Sequence, residues 1–450
     1  MSFSDLRFLF WFLPPFVLAH TLVPPKARNA LLLAGSLGLY LWGAGWFAAA
    51  LLALFITFNW ALALALGRAT GSRARRGLLA LGLGMDLGLL VCFKYAVQFG
   101  ASIALPLGIS FYVFQAAAYL FDCYRGVFAP ERDIVDFGAF LTAYPQLVMG
   151  PILRYAPARR AFKRRTVCRA DLEQGFQLFV VGLALKVILA DQLASLWASL
   201  ERIGYAYLST PLAWLGAVGY SLQLYLDFQG YSLMAVGLGR MLALPVPHNF
   251  DDPYLSRSVS EFYRRWHVTL GTWFRDYVYI PLGGSRNGDG RTALSLGAVW
   301  LLTGIWHGTS VNFLLWAGAL FGFILLEKFA LRPFLERHNA LSRIYTLFVI
   351  VQTWVLFRIT NLGQLGAYFS RLYPFFGGGG DTFGGDFARH LASYWWLIAL
   401  GILFCLPYPR RFYEKYKQTP LVWAPLLIVF WGCVYLLATG SGGAFLYFRF

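Results

Sequence analysis

The sequence predicts an all-α integral membrane protein, and three observations carry that prediction. Hydrophobic residues make up 58% of the 450, and the mean hydropathy is +0.58. Charged residues are 13%, about half the share of a soluble domain. The apolar stretches are continuous rather than alternating, which fits helices and excludes a transmembrane β-barrel.

Taken in order, apolar runs lie at 8–23, 30–67, 77–98, 103–123, 134–153, 171–197, 211–244, 292–329, 343–357, 391–407 and 421–441. A crossing takes about 20 residues and several runs exceed one, so the chain reads as roughly ten to twelve helical elements. The first run, Phe8 to Val23, lacks a basic leader and contains Pro14-Pro15, so it is read as the first span and not as a cleavable signal. The whole chain, 1–450, is read as a single polytopic domain. Within it lie N-terminal spans (1–100), a catalytic core (101–330) and C-terminal spans (331–450) with a Gly-rich extracytoplasmic loop at about 362–390.

The net charge of +17 resolves into loops. Basic clusters occur at Lys26/Arg28, at 68–76, at 154–169, at 257–291 and at 410–417, and mark the cytoplasmic face instead of a nucleic-acid partner. If every run crossed, the very basic 154–169 segment would fall outside. The run 134–153, which holds Pro145 and Gly150-Pro151, is therefore read as re-entrant. Such backbone survives at membrane depth only beside protein or a water-filled cavity, which points to a tunnel.

The polar stretch 251–291 has helical periodicity. Phe262, Trp266, Leu270, Trp273, Phe274 and Tyr277 share an arc of about 120°, with Arg257, Arg264 and Arg275 opposite. This predicts an amphipathic helix lying on the cytoplasmic surface. His267 falls just beyond the edge of the arc, either a snorkelling interfacial histidine or one facing the junction between a surface helix and the membrane core.

Five cysteines without CxxC or ligand spacing argue against a metal site or a disulfide framework. No Walker A, GxSxG or HExxH sequence is present. His307 stands out, because a break at Gly308 places it inside the apolar run 292–329. An intramembrane ionisable group is costly and so marks a functional candidate, and a neutral imidazole serves as a general base. Asp227, within 211–244, is read as pairing with an intramembrane cation or orienting His307. Lys186 and Asp191 are read as lying near a helix end, snorkelling or paired. Gln146, Gln229, Trp306 and Asn312 complete the set of tunnel or supporting candidates.

Arg264-Arg265-Trp266-His267, Phe274 to Gly284, Tyr144-Pro145-Gln146-Leu147, Tyr225 to Ser232 and Gly304-Ile305-Trp306-His307-Gly308 together resemble the membrane-bound O-acyltransferase (MBOAT) family. The likeness is to its bacterial branch, which includes alginate and peptidoglycan O-acetylation and teichoic acid D-alanylation. The resemblance implies an enzyme of the bacterial inner membrane with a central tunnel. Its donor is a cytoplasmic thioester, acetyl-CoA, and no cofactor is permanently bound. The acetyl group passes to a periplasmic acetyltransferase partner of SGNH type, which modifies a polysaccharide. By motif, His307 and His267 are the catalytic pair, with His307 either deprotonating the accepting hydroxyl or transiently carrying the acetyl group. Arg264, Arg265 and Arg275 are candidates for holding the donor's phosphates. The alternatives are D-alanyl transfer to a cell-wall polymer or, in another class, a transporter or flippase. The latter commonly shows an internal repeat, and none is evident here.

Overall fold

A computed structural model describes residues 2–96, 105–376, 384–440 and 443; the Gly377–Gly380 stretch falls outside them. All regular elements among the described residues are helical, and seven helices are long and apolar enough to cross a membrane. The chain is a polytopic membrane protein. It divides into two compact units, one formed by Met1–Val181 with Tyr231–His248, the other by Gly182–Gly230 with Asn249–Phe450.

In the first unit, α1 (Phe8–Leu22) is apolar but too short for a crossing, so the first run is not the first full span. That place falls to α2 (Arg28–Arg68), whose 41 residues bend at Gly45, where φ is 83°. This conformation costs a side-chain-bearing residue energy and glycine very little, so one long apolar run becomes two helical arms. After α3 (Ser72–Ala96), α4 (Ile109–Arg125) runs between Gly108 and Gly126, both at φ 74°. The run 134–153 is not one helix. It breaks at Ala143 into α5 (Ile134–Thr142) and α6 (Tyr144–Leu147), and neither is long enough to cross. Buried side chains satisfy the freed backbone: Gln146 Nε2 donates to Phe140 O at 2.7 Å, and Tyr144 N donates to Ser36 Oγ at 3.1 Å. The basic stretch that follows forms α7 (Tyr155–Lys163), with Tyr155, Ala158 and Phe162 buried and Arg159 and Arg160 exposed.

Two long helices, α8 (Arg169–Ile203) and α9 (Thr210–Met241), continue from one unit's residues into the other's. Lys186 lies mid-helix in α8, not near an end, in a π-helical stretch from Leu185 to Ala190.

In the second unit the expected amphipathic helix is absent as a continuous element. It is split into α10 (Val259–Arg265) and α11 (Val268–Phe274), joined through Trp266 and by His267 at φ 46°. Its apolar face is buried in protein, with Phe262 at 0% and Trp266 at 4% exposure. The helix α12 (Gly288–His307) ends where the sequence suggests, at Gly308. A side chain there would run into the Phe313 ring. Then come α13 (Val311–Arg337), α14 (Asn339–Arg358) and α15 (Leu362–Leu372), so a helix occupies the start of the stretch read as a loop. The chain continues through α16 (Asp386–Phe404), α17 (Tyr408–Tyr416) and α18 (Trp423–Ala438).

Candidate active site

The break that creates the site is stitched from outside the helices it separates. Asp251 N donates to Arg265 O at 3.0 Å, and Val268 N donates to Asn249 O at 2.9 Å. The segment 249–251 thus takes up backbone groups that a continuous helix would have used internally. The start of α10 is capped twice. Ser258 Oγ accepts from Glu261 N at 3.0 Å. From α13, the Glu327 carboxylate accepts from Val259 N at 2.5 Å, Ser260 N at 3.1 Å and Ser260 Oγ at 3.0 Å. A carboxylate at a helix N-terminus satisfies orphan donors and meets the positive end of the dipole.

His267 is buried at the break. Its ring meets Phe228 edge-on at 4.8 Å between centroids, and its Nδ1 lies 3.3 Å from Asn249 Oδ1. Nε2 is buried with no hydrogen-bond partner among the described residues. Burial pushes the imidazole pKa down to about 3, so the ring is neutral at physiological pH.

His307 ends α12 among aromatic rings, all three edge-on: Trp306 at 4.6 Å, Trp316 at 5.0 Å and Phe357 at 5.0 Å. Asn312, fully buried, sets this cage. Its Nδ2 donates to Leu356 O and Phe357 O, both at 3.1 Å, fixing the end of α14 and with it the Phe357 ring.

Both histidines line one cavity of about 1070 Å³. Buried Trp266, Trp300, Trp316 and Trp354 surround its inner part, while exposed Arg257, Arg264, Arg275, Lys328 and Arg332 line its outer part with Glu261 and Glu336, the latter paired to Arg332 at 2.9 Å, so that basic groups outnumber acidic ones there. An elongated molecule with an anionic end and an apolar or neutral reactive end matches that polarity.

The sequence candidates are distributed unequally around this cavity. His267, His307, Arg264 and Arg275 line it. Arg265 does not. It pairs with Glu261, itself a lining residue, at 2.7 Å. Asp227 takes the pairing alternative and does not orient His307: Lys186 Nζ lies 3.0 Å from Asp227 and 2.5 Å from Asp191, the Lys186 and Asp227 side chains 2% exposed and that of Asp191 6%. Trp306 touches the His307 ring from outside the lining, Asn312 acts through Phe357, and half-buried Gln229 is not on the lining. Gln146 belongs to the first unit. Sequence reasoning missed Asn249, Glu327, Lys328 and Arg332. Glu327 carried a signal, since it is the one carboxylate inside the apolar run 292–329. No group of three or more His, Cys, Asp or Glu suited to a metal occurs among the described residues.

Helices that cross a membrane, and two buried histidines on one cavity with a basic outer end, define a membrane enzyme built for group transfer. The chain belongs to the membrane-bound O-acyltransferase family, whose model matches residues 127–363. It is 35% identical to the "probable alginate O-acetylase AlgI" of Pseudomonas putida over the whole of both chains. It is 31% identical to the peptidoglycan O-acetyltransferase of Helicobacter pylori, covering 80% of this chain and 78% of that one. A third relative, the teichoic acid D-alanyltransferase of Bacillus subtilis, is 26% identical over 47% of this chain and 55% of its own. The protein is an O-acyltransferase, and the transporter reading falls.

Proposed function

We propose that the protein moves an acetyl group from acetyl-CoA at the cytoplasmic side of the bacterial inner membrane, for O-acetylation of an extracytoplasmic polysaccharide. Alginate is the polymer favoured by the likeness to the Pseudomonas putida protein, and a separate periplasmic acetyltransferase completes the transfer. The observation that carries this reading is that His267 and His307 share one cavity whose outer part is lined by arginine and lysine.

The basic outer residues hold the donor's phosphates by charge-assisted hydrogen bonds, and the thioester reaches inward. His307 accepts the proton of the attacking hydroxyl as its oxygen bonds to the acyl carbon. As the C–S bond breaks, the same proton goes from His307 to the departing thiolate. The donor is already activated, so positioning and a dry, preorganised site supply the remaining acceleration.

The test incubates purified, reconstituted protein with acetyl-labelled CoA thioester and follows loss of label from the donor. The wild type consumes donor, and His307→Ala slows it by about 10²- to 10⁴-fold, the usual worth of a general base. A folded His307→Ala protein with full transfer would refute the assignment.

A further inference from the structure

We propose that Asn249 is a positioning residue that locks His267 in the Nδ1–H tautomer, so that Nε2 presents a lone pair to the cavity. Asn249 lies in the Pro247-His248-Asn249-Phe250 stretch, outside any helix, and is fully buried. Its Oδ1 receives Thr269 Oγ1 at 2.6 Å and Thr269 N at 3.4 Å. A backbone N–H can only donate, which fixes that side of the amide as oxygen. The third group at this oxygen is His267 Nδ1, at 3.3 Å. Two acceptors cannot share a hydrogen bond, so Nδ1 carries the proton of the neutral ring. The lone pair is then on Nε2, which is buried and without a protein partner among the described residues, on a ring that lines the cavity.

Two further features tie Asn249 to the ring and not only to the fold. Its carbonyl oxygen receives Val268 N at 2.9 Å, so one residue fixes both the left-handed backbone at His267 (φ 46°) and the imidazole. A non-glycine residue in that region is strained and persists where its surroundings over-determine it. In addition, Asn249 Nδ2 is buried with no partner among the described residues. An orphaned buried donor is costly, so the amide is retained at this position against a local penalty.

The consequence is a division of labour. With a lone pair at Nε2, neutral His267 accepts an O–H or N–H of the bound substrate and has no proton to give there. The proton that the leaving thiolate takes up therefore comes from His307. This part rests on the acyl-transfer reading; the tautomer itself does not.

The experiment uses the full chain in lipid nanodiscs, labelled with ¹⁵N-histidine, with the His267 signals assigned by their loss in His267→Gln. The expected spectrum has Nδ1 protonated and Nε2 bare; a protonated Nε2 overturns the proposal whatever the kinetics. In the donor-consumption assay, Asn249→Ala is expected to lower kcat by at least about tenfold, as loss of a ligand-orienting partner commonly does, with KM for acetyl-CoA within about twofold. Asn249→Asp, which keeps the acceptor, is expected to restore most of kcat. An unchanged kcat in a monodisperse Asn249→Ala protein overturns the proposal, as does failure of Asn249→Asp to rescue. If His307→Ala retains full turnover while the Nδ1–H signature holds, the acyl-transfer reading fails and the tautomer assignment stands.

Discussion

Glu327 offers the sharpest link between stability and substrate binding. The perturbation is Glu327→Ala, with Glu327→Gln as its milder counterpart. The carboxylate is 4% exposed and accepts three hydrogen bonds from Val259 and Ser260. Alanine strips the first turn of α10 of these acceptors and leaves at least one buried backbone N–H unpaired. Each orphaned buried donor costs about 1–3 kcal/mol. Removing the charge also returns part of its own desolvation cost, so about 3 kcal/mol is the expected net loss for alanine. Glutamine keeps one oxygen in place and should lose about 1–2 kcal/mol. Because α10 carries Arg264 to the outer part of the cavity, loosening it should raise KM for the donor more than it lowers kcat. Tryptophan-fluorescence unfolding in detergent reads the first effect and donor-consumption kinetics the second. If Glu327→Gln and Glu327→Ala leave both the unfolding midpoint and KM at wild-type values, the cap does not hold the site and this reasoning is wrong.

Other predictions concern the arginines, the buried ion triad and pH. Arg264→Ala and Lys328→Ala should each raise donor KM, with the effect shrinking at high salt, whereas Arg265→Ala should leave KM near wild type because that side chain is not on the lining; equal effects at the three positions would contradict the lining geometry. Lys186→Met removes the cation between Asp191 and Asp227 and should cost about 3–5 kcal/mol, as breaking a buried pair does. Restoration of the unfolding midpoint in Lys186→Met/Asp227→Leu/Asp191→Leu, compared with the single variant, would show that unpaired charge is the cause. For pH, His267 has a folded pKa of about 3 against 6.5 when unfolded. The unfolded chain binds the extra proton between those values, so stability falls as pH drops below 6.5, by about 1.4 kcal/mol per unit. Comparing the pH dependence of unfolding in His267→Gln with wild type isolates this contribution. Identical slopes between pH 4 and 6.5 would show that the buried histidine is not titrating as argued.

The parts of the site legible in the sequence were those written in local chemistry. The stop at Gly308 follows from an apolar run followed by Gly-Thr-Ser, and it delivers His307 to a helix end as expected. The break at His267 was not legible. The apolar arc runs unchanged from Phe262 to Tyr277, and what interrupts the helix is backbone pairing with residues 249–251, which helical periodicity does not encode. The arginine pair shows the same limit. Arg264 and Arg265 are neighbours in sequence, but about 100° of helix rotation puts one on the cavity lining and leaves the other off it. Asp227 was recognised as a charge needing a partner, but its cation lies 41 positions earlier in the chain, so nothing local distinguished pairing with Lys186 from orienting His307.

One helix runs along the cavity like the stave of a barrel. Trp316, Ile324, Glu327, Lys328, Arg332 and Leu335 of α13 all line it. Trp316 meets His307, and Arg332 stands at the basic end. Those two are sixteen positions apart, about 24 Å at most at the α-helical 1.5 Å per residue, and the helix between them is continuous, with a π-helical stretch at Glu327–Leu331. On the proposed function, the distance between where the donor's charge is gripped and where its acyl group reacts is therefore set by one continuous helix. Reach, and not only charge, becomes a criterion for the donor. A molecule such as acetyl phosphate, whose anionic group sits beside its acetyl carbon, cannot occupy both ends at once, and offered in place of acetyl-CoA it should not serve as a donor.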